Sequence, residues 1–322
     1  MTVGYGQLGH LQFNQQNSFG TVFTSSLEAV PIVDESIVET IGQLVEGGMY
    51  ARHMAGPNHE GPRASAGGVS FEPLPDQIGA FLRAATGQTS SSITNSAGVH
   101  TFRPLHNSDH LEHSALPPMT LVVHRDVGSA DAYADMNLTT LTFEMAHSEL
   151  LKASAEWTGG VRQGVAAVAP TYPAGAPWIW DQGSMSIGGV GIAEFRSFTW
   201  TQTNNIEPAY TITDSKTPSH MRRAGLVEVS GTGTILADTA VHSHLFSIFQ
   251  AQTQAQLLIN FNGVTSPGNL LFDMPQARIT EYAWNIAGVG QIEINISVMG
   301  KFDTTSTYLC QYTLTNCRVS YP

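Results

Sequence analysis

Cysteine is almost missing from this chain: Cys310 and Cys317 are the only two in 322 residues. Two thiols near one end cannot staple a chain of this length, so a disulfide framework is excluded. A hairpin could set them face to face, but both are expected as reduced thiols. Charge is scarce as well. Asp, Glu, Lys and Arg make up 12% of the chain, about half of the ~25% usual in globular proteins, which excludes a charge-rich disordered chain and a coiled coil. The balance is acidic, with 26 Asp and Glu against 14 Lys and Arg and a net charge of −12. A protein that grips nucleic acid needs clustered Lys and Arg against phosphates, so that class is excluded. Acidic walls from which DNA is repelled remain possible. No apolar run approaches the ~20 residues of a membrane-spanning helix. The opening MTVGYGQLGHLQFNQQ has neither the basic start nor the apolar stretch of a secretory signal, so none is expected. Gly, Ser, Thr, Asn and Gln fill the space left by charge, which suits a β-rich protein with much of its surface against neighbours.

What is present is a hairpin pattern written twice. Leu141, Phe143 and Met145 alternate with polar residues, a short turn spans Ala146 to Leu150, and Leu151, Ala153, Ala155 and Trp157 alternate again. Tyr282, Trp284 and Ile286, a turn around Gly288 and Gly290, then Ile292, Ile294, Ile296 and Val298 repeat the pattern at a constant offset of 141. The paired residues share no identities, so the likeness lies in spacing. A period of two marks strands, and an equal turn marks one supersecondary unit used twice.

Two helices are expected, from about Pro75 to Thr86 and from about Asp238 to Ala251, each after a Gly-rich extended stretch (Ala66 to Phe71 and Val229 to Ile235). The apolar stripe of the first is Ile78, Phe81, Leu82 and Ala85, and that of the second is Val241, Leu245, Ile248 and Phe249. Setting Phe71 on Ile235 also sets Phe81 on Leu245, an offset of 164. The change from 164 to 141 means 23 extra residues in the first half, placed in the long polar loop 87–118. The fold expected is therefore mainly β. Two similar half-barrel or sandwich modules each carry one flanking helix, the first over 1–172 and the second over 173–322, with a Pro/Ala/Gly-rich join around Ala169 to Pro177. Each half also has a weakly patterned stretch before its helix, Asp34 to Ala64 and Asn204 to Gly225. These read as solvated loops or as arms that reach a neighbouring subunit.

Candidate chemistry is thin. Gly4, Gly6 and Gly9 match the spacing of a dinucleotide fingerprint, but no strand precedes them and Gln12 to Ser18 is not an amphipathic helix. His106, His110 and His113 would share a face and could hold zinc if helical, yet their polar, turn-rich context reads as an exposed loop. His242 and His244 are two apart on a helix and point to different sides. Gly183 to Gly188 misses the spacing of a nucleophile elbow, and no phosphate-binding loop is present. No catalytic, metal or cofactor site is expected, and the chain is not read as an enzyme.

Three stretches resemble tail tube proteins of long, non-contractile-tailed bacteriophages: the opening Gly4 to Val22, the basic Gly-rich loop with its strand and helix (Arg52 to Gly87), and the strand, acidic connection and hairpin of Leu116 to Gly160. The resemblance implies a structural virion subunit, made in the host cytoplasm, with no cofactor and no membrane partner. Such subunits form stacked rings around a tape-measure protein, with terminator and tip proteins at the ends and DNA passing through the lumen. Single-module members form hexameric rings, so a two-module chain would need three copies for a pseudo-six-fold ring. The alternatives are another ring-forming virion part (tail terminator, baseplate hub or contractile inner tube) and a carbohydrate-binding β-sandwich. On this reading the polar hairpin faces line the lumen, through Thr142, Glu144, Glu156, Glu281, Glu293 and Asn295. The arms carry ring-to-ring contacts through Arg52, His53, Asn58, Arg63, His220, Arg222 and Arg223.

Overall fold

The computed structural model describes residues 5–16, 18–46, 58–94, 97–104, 116–212, 215–263, 268–285 and 289–321. The first half runs β1 (His10–Gln15), β2 (Glu28–Val30), β3 (Ile32–Glu35), β4 (Val38–Val45), β5 (Asn58–Phe71), α1 (Ile78–Thr86), β6 (Gly87–Thr94), β7 (Ala97–Pro104), β8 (Met119–His124), β9 (Ala130–Ala146), β10 (Lys152–Gly159) and β11 (Arg162–Val165). The second runs β12 (Gly183–Ile187), β13 (Val190–Ile192), β14 (Phe195–Thr203), β15 (Ile206–Ala209), β16 (His220–Arg223), β17 (Glu228–Leu236), α2 (Thr239–Ala251), β18 (Gln254–Asn262), β19 (Asn269–Asn285), β20 (Glu293–Gly300) and β21 (Gln311–Asn316). The protein is mainly β, as its alternating pattern requires.

The two hairpins pair in corresponding register. In the first hairpin Ala155 faces Leu141, and in the second Ile296 faces Tyr282. These are the pairs that the offset of 141 equates. Both ladders slip at the same place, stepping over Thr139 in β9 and Thr280 in β19. In each bulge the threonine hydroxyl donates across to the partner strand, Thr139 to the Glu156 carbonyl at 2.9 Å and Thr280 to the Ser297 carbonyl at 3.1 Å. The helix-side offset of 164 agrees: Phe71 faces Ala153 where Ile235 faces Ile294. The same alignment sets Gly67 against Trp157 and Gly231 against Val298. Gly67 needs its lack of a side chain, because it has φ +152 and a Cβ would lie 2.5 Å from the Ser36 carbonyl.

Strands β9 and β19 are 17 residues long, and each serves two sheets. Their first halves pair with β8 and β11, or with β18 and β21. Their second halves pair with β10 or β20. The helix closes the angle between the sheets: Phe81 of α1 lies 5.0 Å from Phe13 of β1 and 4.4 Å from Phe71 of β5, ring centre to ring centre. The helix α1 starts at Ile78, later than expected, because Leu74 to Gln77 form a turn and Asp76 accepts the Cys317 N–H at 3.0 Å. It ends at Gly87, left-handed at φ 79. The helix α2 is capped by Asp238, which accepts from Ala240 N–H and Val241 N–H.

One cluster of buried side chains runs through both halves, so the two modules share a core. They are also joined in one sheet, because β9 pairs along its second half with β14 of the other module, Phe143 opposite Trp200. Through this joint eight strands run side by side within a larger sheet, in the order β4, β5, β10, β9, β14, β17, β20, β19. The polar stretch after α1, expected as a loop, begins as the hairpin β6–β7, and β21 pairs with β7, Tyr312 opposite Phe102. Residues 105–115, which hold His106, His110 and His113, lie outside the described residues, as do Ile286 and Gly288 of the second turn. Cys310 is buried and Cys317 exposed, both free. Trp200 is fully buried where the modules meet. Trp200→Ala is expected to cost about 3–5 kcal/mol of unfolding free energy, read as a lowered midpoint in urea denaturation.

Candidate functional site

This run of eight strands has one apolar face and one polar face, and the polar face is the feature that a functional reading must explain. Alternation along each strand sends Leu141, Phe143, Ala153, Ala155, Trp157, Phe198, Trp200, Ile235, Ile294 and Ile296 into the core. Their neighbours Thr140, Thr142 and Glu144, Ser154 and Glu156, the alternate residues Ser197, Thr199, Thr201 and Thr203, Ser230, Thr232 and Thr234, Asn295 and Glu281 go to the other side. Rows of hydroxyls cross this side: Thr142 stands opposite Ser154 and Thr201, and Thr201 opposite Ser230. The Thr142 and Thr201 hydroxyls are 3.2 Å apart.

All six side chains singled out for the lumen fall on this one face. Glu144 and Glu156 are exposed, with Glu144 opposite Lys152 and Glu156 opposite Gly68. Glu281 accepts from the Ser297 hydroxyl at 3.2 Å, Asn295 accepts from Thr234 at 2.9 Å, and Glu293 pairs with Arg196 at 3.1 Å. The share of β14 and β17 in this face escaped the sequence reading, although the string Phe198-Thr-Trp-Thr-Gln-Thr203 shows the alternation plainly. Asp34, opposite Ser70, and Glu228, opposite Thr203, add further acid there. Basic groups there are Lys152, Arg196 and Arg278, the last opposite Met299 in the row of Ser230, fewer than the acidic ones named, so these groups sum to a negative charge.

The two pre-helix stretches are hairpins at their bases. The first is β4 with β5, Val38 opposite Ala66 and Val45 opposite Asn58; the second is β15 with β16, Ile206 opposite Arg223. They touch one another within the chain. Lys216 reaches Glu60 at 2.6 Å, Arg63 N–H donates to the Lys216 carbonyl at 2.8 Å, and the Tyr210 hydroxyl donates to the Arg63 carbonyl at 3.3 Å. Hydrogen bonds from Lys216 and Arg63 hold the Glu60 carboxyl below its usual range. Of the arm residues, Asn58 donates to Gln43 at 3.2 Å, and Arg63 pairs with Glu60 and lies 3.9 Å from Glu39. His220 bonds the Ser219 hydroxyl at 3.0 Å. Arg222 is exposed opposite Glu207. Arg223 is half-buried, and desolvation lowers its pKa. Arg52 and His53 lie outside the described residues.

Among the described residues no group of His, Cys, Asp and Glu is placed to hold a metal ion. Burial pushes the Cys310 thiol up to about 12, so it stays protonated and packs as core. Gly6 to Leu8 form one short helical turn before β1, which is not the strand-to-helix setting of a dinucleotide site. His242 and His244 diverge as expected, His242 to the Tyr282 hydroxyl at 2.6 Å and His244 to the Ile187 carbonyl at 2.8 Å. Among the described residues no helix is long and apolar enough to cross a membrane.

The phage tail tube protein family matches this sequence over residues 6–300. The chain belongs to that family. A search of curated proteins returned no match. A tail tube protein is a structural subunit of the virion tail that assembles with its own kind. Because Glu144 and Thr142 lie on the wetted face and Phe143 between them lies in the core, Glu144→Gln and Thr142→Ala should each change unfolding free energy by under about 0.5 kcal/mol. Phe143→Ala should cost about 3–5 kcal/mol. Chemical denaturation of the three variants checks which face is core.

Proposed function

We propose that this chain is the subunit of the tail tube of a long, non-contractile-tailed phage. Three copies form a ring of pseudo-six-fold symmetry, and stacked rings form the conduit through which DNA leaves the particle. The observation that carries the reading is the run of eight strands built as two equivalent four-stranded halves, β4, β5, β10, β9 and β14, β17, β20, β19, already joined edge to edge. A chain that makes one such joint internally needs only two more copies to present six equivalent sectors.

The polar face is assigned to the lumen and the core with its helices to the outer wall. Thr142, Glu144, Glu156, Glu281, Glu293 and Asn295 then line the channel among threonine rows. Their negative charge opposes adhesion of DNA, and at physiological salt the repulsion reaches only about 8 Å, so DNA slides without sticking. A tape-measure protein would fill the same channel during assembly, and terminator and tip proteins would close its ends. The part of β4–β5 beyond Ile41, with β15–β16, is assigned to contacts between stacked rings. None of these roles requires catalysis or a cofactor.

Native mass spectrometry of isolated rings should give three copies of the 34.6 kDa chain; six copies per ring would defeat the two-module ring. Glu144→Lys with Glu293→Lys should leave ring assembly intact yet slow DNA release from assembled particles, measured as dye-accessible DNA over time. Release at the wild-type rate would remove these side chains from the channel wall. Deleting Gly56 to Pro62, which includes the start of β5, should leave a folded, soluble chain that forms no tubes, scored by negative-stain microscopy against circular dichroism. Normal tube growth would make the arm a plain surface loop.

A further inference from the structure

The joint between modules inside one chain supplies a template for the joint between chains. Along it, β9 and β14 run antiparallel with Leu141 opposite Gln202, Thr142 opposite Thr201 and Phe143 opposite Trp200. Each strand has a counterpart at the far end of the same sheet. The offset of 141 carries β9 onto β19. The bulges that skip one residue in β3–β4 and in β14 align Ile32 with Phe195 and Asp34 with Ser197, since Ile32 and Phe195 face Phe71 and Ile235. Residues of β4 therefore correspond to residues of β14 with an offset of 163, Val38 to Thr201 and Glu39 to Gln202.

Both counterparts are open along the matching edge. Among the described residues, β4 pairs only with β5. Strand β19 has β18 on that side only as far as Arg278, leaving Ile279 to Asn285 without a strand neighbour there among the described residues. The exposures tell the same story. Phe143, sealed in the internal joint, is 0% exposed, whereas its counterpart Trp284 is 48% exposed; on β4, Val38, the counterpart of Thr201, is 57% exposed, while Ile37, the counterpart of Trp200, is buried beneath its own cover. An apolar, unpaired edge is a standing template for another strand.

We propose that β4 of one copy pairs antiparallel with the free edge of β19 of a second copy, with Glu39 opposite Tyr282, Val38 opposite Ala283 and Ile37 opposite Trp284. This rests on the ring reading above and names the contact that closes the ring. The backbone is set for it. Ser36 N–H turns toward Gly68 of β5, so alternation turns the peptide groups of Ile37, Glu39 and Ile41 outward. Arg63, opposite Ile41, likewise turns its N–H away from β4, to the Lys216 carbonyl. In the internal joint the Asn204 N–H donates to the Thr139 carbonyl, freed by the bulge, at 2.7 Å. Between copies the same bond runs from the Ile41 N–H to the Thr280 carbonyl.

The free chain covers one point of this edge. The Ile37 N–H donates to Glu35 at 2.6 Å, and its carbonyl accepts from Arg125 at 2.9 Å and from the Tyr133 hydroxyl at 3.1 Å. Docking of Trp284 displaces these side chains. A charged cover of this kind is how proteins keep an edge from pairing too early.

The test uses the place where Thr142 and Thr201 bring their hydroxyls 3.2 Å apart. The counterparts are Ala283 and Val38. In a Cys317→Ser chain, Val38→Cys with Ala283→Cys should give, after oxidation of assembled tubes, closed covalent trimers on a non-reducing denaturing gel in most of the protein. Shifting one partner by two residues, Val38→Cys with Glu281→Cys, should cut the crosslinked fraction at least tenfold. Tubes that form normally but crosslink neither pair, or crosslink the shifted pair better, overturn the register while leaving the tube function standing. Failure of the unmodified chain to form tubes would overturn the functional reading and this contact with it.

Discussion

The pairing of β9 with β14 is the constraint on which the rest of the molecule depends. It is more than a backbone ladder, because a buried polar chain crosses it. The Trp200 indole N–H donates to the Tyr312 hydroxyl at 3.0 Å, and that hydroxyl donates to the Gln202 side-chain carbonyl at 2.7 Å. The Gln202 amide then donates to the Ala85 carbonyl at the end of α1 at 2.8 Å, where Asn204 also donates at 2.9 Å. Buried amides and hydroxyls are costly unless every partner is present, so this chain of bonds admits one arrangement of the two modules. Phe143 meets Phe272 across the joint at 4.9 Å between ring centres, which seals it in apolar material. With that joint made, two hairpins become one sheet, one face is committed to the core, and the other is left polar over its full width.

The two modules are alike where the sheet is and unlike elsewhere. Their bulges coincide to the residue, in the hairpins and in β8 and β18, where the ladders slip between Met119 and Leu121 and between Ala255 and Leu257. The insertion β6–β7 occurs only in the first module, and β21 of the second pairs with it. In the proposed ring, the wall would be nearly six-fold, while the outer parts would repeat only once per chain. The counterpart of the aromatic pair Phe272 and Trp200 is Asp131 and Ile37, with Asp131 held by Arg125 at 2.8 Å and Arg162 at 2.7 Å. An internal joint can be sealed permanently with aromatics, but a joint between copies has to stay soluble until it is made.

The hairpins, both helices and the repeat were legible in the sequence because their signals are local: a period of two in Leu141 to Trp157 and a period near 3.6 in Ile78 to Ala85. The polar face followed from the same alternation, which is why all six candidate lumen residues share it. Strand β4 was not legible. Most of its residues are exposed, with half-buried Glu39 and Gly42 the exceptions, so no alternation marks it, and its partner β5 carries Gly61 and Pro62 within the strand. Strand β6 has the composition of a loop and pairs because β7 lies between it and β21. The joint of β9 with β14 was hidden for another reason. Each strand's pattern says that it has a buried face, and neither pattern says which strand lies beside it.

The central claim is that one chain supplies two equivalent sectors of a closed wall. A reconstruction of the assembled tube by electron cryomicroscopy tests it most directly. The account requires three chains per ring, an inner barrel of 24 strands with each run of eight strands making one third of it, and the two modules related by about 60° about the tube axis. Six chains per ring, or the two modules lying at different radii from the axis, would contradict it.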